Sequence, residues 1–134
     1  MKRAMKIELF ALCDFAADYA GKLSVIGIFD TMWTKQAPAV LPHCSVAVKF
    51  RFEKIEEGQK RLRLSVADAD GQPVIPAIDM PITVGFAPDA HSGTIQLVVN
   101  IGGLKLEKFG EYTVDLAVDN RHEGSIPLYV RQRG

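Results

Sequence analysis

The stretch Cys44-Ser45-Val46-Ala47-Val48-Lys49-Phe50-Arg51-Phe52-Glu53 decides the fold class. Cys44, Val46, Val48, Phe50 and Phe52 fall on one parity; Ser45, Lys49, Arg51 and Glu53 fall on the other. Successive side chains of a strand point to opposite faces, so this pattern predicts a strand half in a core and half in water. Working outward, the same period of two appears in Leu62, Leu64 and Val66, and in Ile95, Leu97, Val99 and Ile101. It returns in Tyr112, Val114, Leu116 and Val118, and in Ile126, Leu128 and Val130. Ile7, Leu9, Ala11 and Cys13, then Leu23, Val25, Gly27 and Phe29, give two more strands with less polar outer faces. Ile82, Val84 and Phe86 form a shorter one. Strands spaced by about ten residues with turn signals between them predict an all-β fold. The expected architecture is a single antiparallel β-sandwich of Ig-like, Greek-key character, with a closed β-barrel as the second choice.

The connections refine this reading. Residues 14–20 have the only helix-like composition and are too short to stand alone, so a turn or single helical turn ended by Gly21 is expected. Pairing Phe52 with Leu62 keeps both on one face and leaves the loop Glu56, Glu57, Gly58. It also sets Arg51 beside Arg63; pairing with Leu64 avoids that contact through a longer loop, and the shorter loop is preferred. Asp70-Gly71 is a two-residue turn signal, while Pro73 and Pro76 predict an edge strand or irregular segment. A turn is expected over residues 120–124. Gly110-Glu111-Tyr112 resembles a tyrosine corner, in which the hydroxyl bonds upstream backbone. Val114 stands where antibody domains carry a cysteine.

Composition narrows the function classes. The chain has 134 residues, 48% of them hydrophobic, with 16 Lys+Arg against 16 Asp+Glu. That length fits one domain over residues 1–134. A net charge of zero argues against nucleic-acid binding driven by phosphate electrostatics, so no nucleic-acid partner is expected. No apolar run approaches the roughly 18 residues of a membrane span. Lys2, Arg3 and Lys6 precede an apolar run at residues 9–13, but Glu8 and Asp14 bracket it below the roughly 7–15 residues of a signal core. Leu12 occupies the place where a lipoprotein anchor at Cys13 wants a small residue. The expectation is a cytoplasmic protein with Cys13 and Cys44 as thiols.

Cys13-Asp14-Phe15-Ala16 followed by Gly21-Lys22-Leu23-Ser24-Val25-Ile26-Gly27 resembles the opening of an uncharacterised bacterial family of small all-β domains. Leu62-Arg63-Leu64, Asp68-Ala69-Asp70-Gly71, Gly110-Glu111-Tyr112 and Ile126-Pro127-Leu128 are similar to it as well. The resemblance implies the fold and no activity.

No chemistry-bearing constellation emerges. Asp68-x-Asp70-Gly71 begins like a calcium loop, but Ile75, Pro76, Ala77 and Ile78 fill the stretch before Asp79, and a plain turn is preferred. His43-Cys44, His91 and His122 lack zinc-ligand spacing. No Gly-x-Ser-x-Gly elbow occurs, and Gly102-Gly103 leads into strand rather than a phosphate-binding helix. Cys13 and Cys44 lie on apolar strand faces, where burial suppresses thiolate formation. Catalytic residues, metal ligands and cofactors are therefore all expected to be none.

Two surface features point to partners. Lys49, Arg51, Arg61 and Arg63 share an outer face under either hairpin register, a candidate patch for an anionic partner, although a solvated face is preferred. Phe10, Leu12, Ile26 and Ile28 fall on the outer parity of the first two strands. Such a patch is covered either by the chain or by a partner. The leading expectation is a non-catalytic binding or scaffold module, with a homo-oligomer or protein partner on that face. The alternative is a metal or small-ligand site among Asp14, Asp18, Asp30, Asp119 and Glu123 at one end of the sandwich.

Overall fold

The computed structural model of the chain describes residues 5–134; Lys2 and Arg3 of the basic N-terminal stretch lie outside them. Among the described residues nine strands run in chain order: β1 (Lys6–Tyr19), β2 (Lys22–Ile28), β3 (Thr31–Thr34), β4 (Ala39–Glu53), β5 (Gly58–Ala67), β6 (Ile78–Val84), β7 (Ser92–Leu106), β8 (Gly110–Val118) and β9 (Arg121–Gln132). They form a four-stranded sheet in the order β2-β1-β4-β7 and a five-stranded sheet in the order β3-β9-β8-β5-β6. All neighbours are antiparallel except β3, which runs parallel to β9. The decisive stretch sits in β4, paired to β7 from Ala39↔Leu106 to Glu53↔Ser92.

Alternation on β4 builds the core. Val46, Val48, Phe50 and Phe52 enter one interior cluster with Leu62, Leu64 and Val66 of β5, Leu116 of β8 and Leu128 of β9. Each such side chain contributes roughly 1.5–3 kcal/mol on leaving water. The Phe50 and Phe52 rings lie 5.7 Å apart at 41°. The result is a two-sheet, mostly antiparallel all-β domain with sandwich-like contacts. The sheets remain separate and open at β2, β7, β3 and β6, so the closed β-barrel is not formed.

Two expected connections are corrected. First, β4 and β5 belong to different sheets, and neither proposed hairpin register exists. After Glu53 the chain makes a 3-10 turn at Lys54–Glu56, where Glu53 N donates to Glu56 Oε1 at 2.9 Å, and crosses to the other sheet. Phe52 and Leu62 do share an interior, but across two sheets. β5 pairs with β6 and β8 instead, with Leu62 opposite Met80 and Val118.

Second, residues 14–20 are not a helical turn. β1 continues to Tyr19 and reverses through Ala20 and Gly21 at φ 52° and 78°. It also bends. Gln96 of β7 lies in one cross-strand row with Lys49 and Leu9. Its amide nevertheless donates to Gly21 O at 3.1 Å and to Asp18 Oδ2 at 3.4 Å. A straight β1 would carry that turn roughly 30 Å past the row. β1 therefore folds back beyond Cys13, and the β1–β2 hairpin lies across the outer face of its own sheet.

Other expectations survive in local detail. Tyr112 Oη donates to Lys108 O at 2.6 Å and accepts from Lys108 N at 3.1 Å, the upstream backbone contact expected of a tyrosine corner. A turn forms at Asp70-Gly71 but is one residue longer than the expected two: Asp68 N donates to Gln72 O at 2.9 Å and Gly71 N to Asp68 O at 3.0 Å, while Asp68 Oδ1 accepts from Asp70 N and Gln72 N at 2.9 Å each. The last turn is tighter than residues 120–124: Asp119 and Asn120, both at positive φ, close it before β9 begins at Arg121.

Candidate functional site

Folding the hairpin over its sheet creates two layers. Ala16 and Val25 are cross-strand partners, and with Leu23 they turn down onto Cys13, Ala47 of β4 and Val98 of β7. Ala47 and Cys13 are fully buried although they stand on the outer parity of the sheet. Small side chains there let the two layers approach. The hairpin's opposite face meets water. Phe15 and Ile26, direct cross-strand partners, are 51% and 62% exposed, and Ile28 is 62% exposed. Tyr19 joins them near the tip.

Beyond Ile28 the chain leaves for β3, and Phe29 N donates to Leu12 O at 3.0 Å. A groove of about 290 Å³ opens there between β1 and β9, lined by Phe10, Leu12, Ile28, Phe29, Asp30 and Pro127 among others. It is mostly apolar, with one carboxylate at its side.

Of the four residues expected on an outer apolar face, only Ile26 and Ile28 are exposed. Leu12 is 2% exposed and Phe10 packs against the main core beside Gly124, a correction to their expected direction. The cause is a bulge between Ile7 and Leu9, which shifts the register and exchanges the faces of β1 from Leu9 to Cys13. Phe15 and Tyr19 take the vacated role. Sequence reasoning passed over them because residues 14–20 read as a turn.

The basic patch is divided. Lys49 and Arg51 lie on the four-stranded sheet and Arg61 and Arg63 on the other, so they share no face. Glu8 sits between the first two, 3.7 Å from Lys49 Nζ and 2.6 Å from Arg51 Nε. The hydrogen bond from Arg51 holds the Glu8 carboxyl below its usual pKa. Arg63 lies 3.8 Å from Asp79.

The acids of the alternative reading are dispersed and engaged by turns. Asp18 Oδ1 accepts from Gly21 N at 3.1 Å, Asp30 Oδ1 from Thr31 Oγ1 at 2.8 Å, and Asp119 Oδ1 from Arg61 N at 2.8 Å. Asp14 lies against Gly27, and Glu123 stands on β9. Among the described residues no group of three or more His, Cys, Asp and Glu side chains is placed to hold a metal ion. No described helix is long and apolar enough to cross a membrane.

One polar cluster was not foreseen. His122 Nε2 lies 2.8 Å from Ser125 Oγ and 3.4 Å from Asp115 Oδ1, and Ser125 donates to Asp115. A relay needs the acid and the hydroxyl on different imidazole nitrogens. Here one nitrogen meets both, and the serine proton points at the carboxylate, so the cluster is a surface network. The thiols are buried as expected. Burial raises Cys13, and burial, with lesser contributions from Cys13 and Asp14, pushes Cys44 up to about 11.

The fold and its surfaces define a class: a two-sheet β domain whose prominent described surface features are an exposed apolar hairpin face and a groove. The chain belongs to the family of unknown function DUF6941, whose sequence profile spans residues 8–131. No curated protein matches it. Among solved structures it is similar to the Pseudomonas fluorescens alkylpurine DNA glycosylase AlkC bound to DNA containing an abasic site analog. That likeness has a TM-score of 0.58 at 7% identity and covers 96% of this chain and 31% of the glycosylase, showing a shared fold alone. Two structures of a β-glucosidase from Listeria innocua, one in complex with isofagomine, give TM-scores of 0.47 and 0.46 at 9% identity. They are covered over 16% of their length against 96% of this chain. The chain thus spans less than a third of any of these proteins.

Proposed function

We propose that this domain is a non-catalytic interaction module that self-associates through the outer face of the β1–β2 hairpin. The carrying observation is the exposure of Phe15, Ile26 and Ile28 on neighbouring positions of one hairpin. Large apolar side chains gathered on a surface favour a partner, since each gains roughly 1.5–3 kcal/mol when fully buried. The geometry of a second copy has further support. β2 is an edge strand, and its outward backbone groups suit strand addition. The groove beside Ile28 suits an inserted apolar side chain.

The finer fold assignment, an Ig-like Greek key, belongs to this proposal. It is supported by the adjacency of β1, β4 and β7 in one sheet and of β5, β8 and β9 in the other. The Tyr112 contact before the late strand β8 adds to it.

Sedimentation across a micromolar concentration series tests the function. A concentration-dependent dimer is expected, converted to monomer by Ile26→Asp with an unchanged circular dichroism spectrum. A monomer throughout the series, with the apolar face intact, would falsify the reading.

A further inference from the structure

We propose that the β1–β2 hairpin is a hinged flap, able to open from the outer face of its sheet while the two-sheet body stays folded. The contacts beneath it form a cluster of their own, Cys13, Ala16 and Ala47 with Leu9, Leu23, Val25 and Val98, separate from the main core. Its fully covered members are small and its larger ones, Leu9, Leu23, Val25 and Val98, are only partly buried, so opening returns less apolar area to water than disrupting the main core. Above the hairpin, Phe15, Tyr19 and Ile26 face solvent, and no described element clamps them down.

Among the described residues one side chain from outside the hairpin hydrogen-bonds its tip and latches it. Gln96 Nε2 reaches Gly21 O at 3.1 Å and Asp18 Oδ2 at 3.4 Å, and these exposed bonds exchange readily for bonds to water. A hinge stands at the other end. Asp14 and Gly27 lie opposite each other at the corner, bracketed by the pairs Cys13↔Ile28 and Phe15↔Ile26. Gly27 has φ +73°, a conformation costly for other residues, and a Cβ there would stand 2.6 Å from Asp14 Oδ2. The first half of β1 remains paired to β4 as far as Cys13↔Ser45 when the flap lifts. Lifting uncovers Cys13 and the strip formed by Ala47 and Val98. The device is independent of self-association.

The two thiols make it measurable, because Cys13 lies under the flap and Cys44 in the main core. The full chain is treated at low protein concentration with an uncharged alkylating reagent. Modification of each cysteine is followed by peptide mass spectrometry and normalised to the unfolded chain. Local opening predicts Cys13 modified at least about tenfold faster than Cys44. Its rate should hardly depend on low urea concentrations, whereas that of Cys44 rises steeply. Gln96→Ala should accelerate Cys13 several-fold and leave Cys44 unchanged. Equal rates with equal urea dependence overturn the flap, because the hairpin then opens only when the whole domain unfolds. A Cys13 rate unchanged by Gln96→Ala overturns the latch.

Discussion

Glu8 decides what the basic strand face of β4 can present to a partner. Lys49 and Arg51 read as a basic pair in the sequence, because β4 offers only Glu53 at its end to offset them and the acid that pairs with both lies on another strand. Pairing with β1 brings in a carboxylate from more than forty positions away, 2.6 Å from Arg51 Nε. Sequence parity places a residue on a face, but it cannot name the cross-strand neighbour. The Glu8 pKa is therefore expected below its ordinary 4.5, chiefly through the hydrogen bond from Arg51. The sign follows from linkage. A depressed carboxyl favours the native state above its unfolded value, and that contribution disappears as pH falls through the native pKa. The pair is solvent-exposed, so the effect on stability is small and weakens with salt. Carboxyl NMR titration checks it: Glu8 should titrate below 4.5 in the unmodified chain and move back toward 4.5 in Arg51→Met. Equal titration of both proteins refutes the pairing.

Among the elements, the β1–β2 hairpin departs most from its sequence, and the causes are local. Strand parity was legible wherever one face is wet and the other dry, as in β5, β8 and the second half of β4. It failed on β1 because the bulge between Ile7 and Leu9 exchanges the two faces. Residues 14–20 read as a turn because Ala16, Ala17 and Ala20 favour helix, whereas docking on Ala47 and Val98 selects small side chains on a strand. The β4–β5 link misled for another reason. Two inward-facing residues look the same whether they pair in one sheet or face each other across two. The corner of the hairpin can be tested directly. Gly27→Ala places a Cβ 2.6 Å from Asp14 Oδ2 at φ +73°, and the left-handed conformation alone costs about 1–2 kcal/mol. Amide exchange in β2 should speed up while the β4–β7 ladder keeps its protection. Adding Asp14→Gly should recover part of the loss by removing the steric component. Uniform acceleration across both sheets would show that the corner is not a local joint.

For the whole molecule, stability is that of the interior shared by the two sheets, and Cys44 lies inside it with no exposed surface. A thiol there is stable only while neutral. Burial, with smaller contributions from Cys13 and Asp14, raises its pKa from 9.0 to about 11. The unfolded chain releases this proton near 9.0, whereas the native chain holds it to about 11. The advantage of the neutral thiol is therefore complete below the lower value and is lost as pH rises through the window. Cys44→Ala separates this effect from packing. At neutral pH the variant should be less stable by about 1 kcal/mol, the cost of a small cavity where sulfur stood. It carries no ionisable group at that position, so the same rise in pH removes less of its stability. Urea midpoints of the two proteins, compared between about pH 8 and the top of the window, should draw together. A gap that stays constant with pH would mean that the native thiol ionises like the unfolded one, and that water reaches the interior between the sheets.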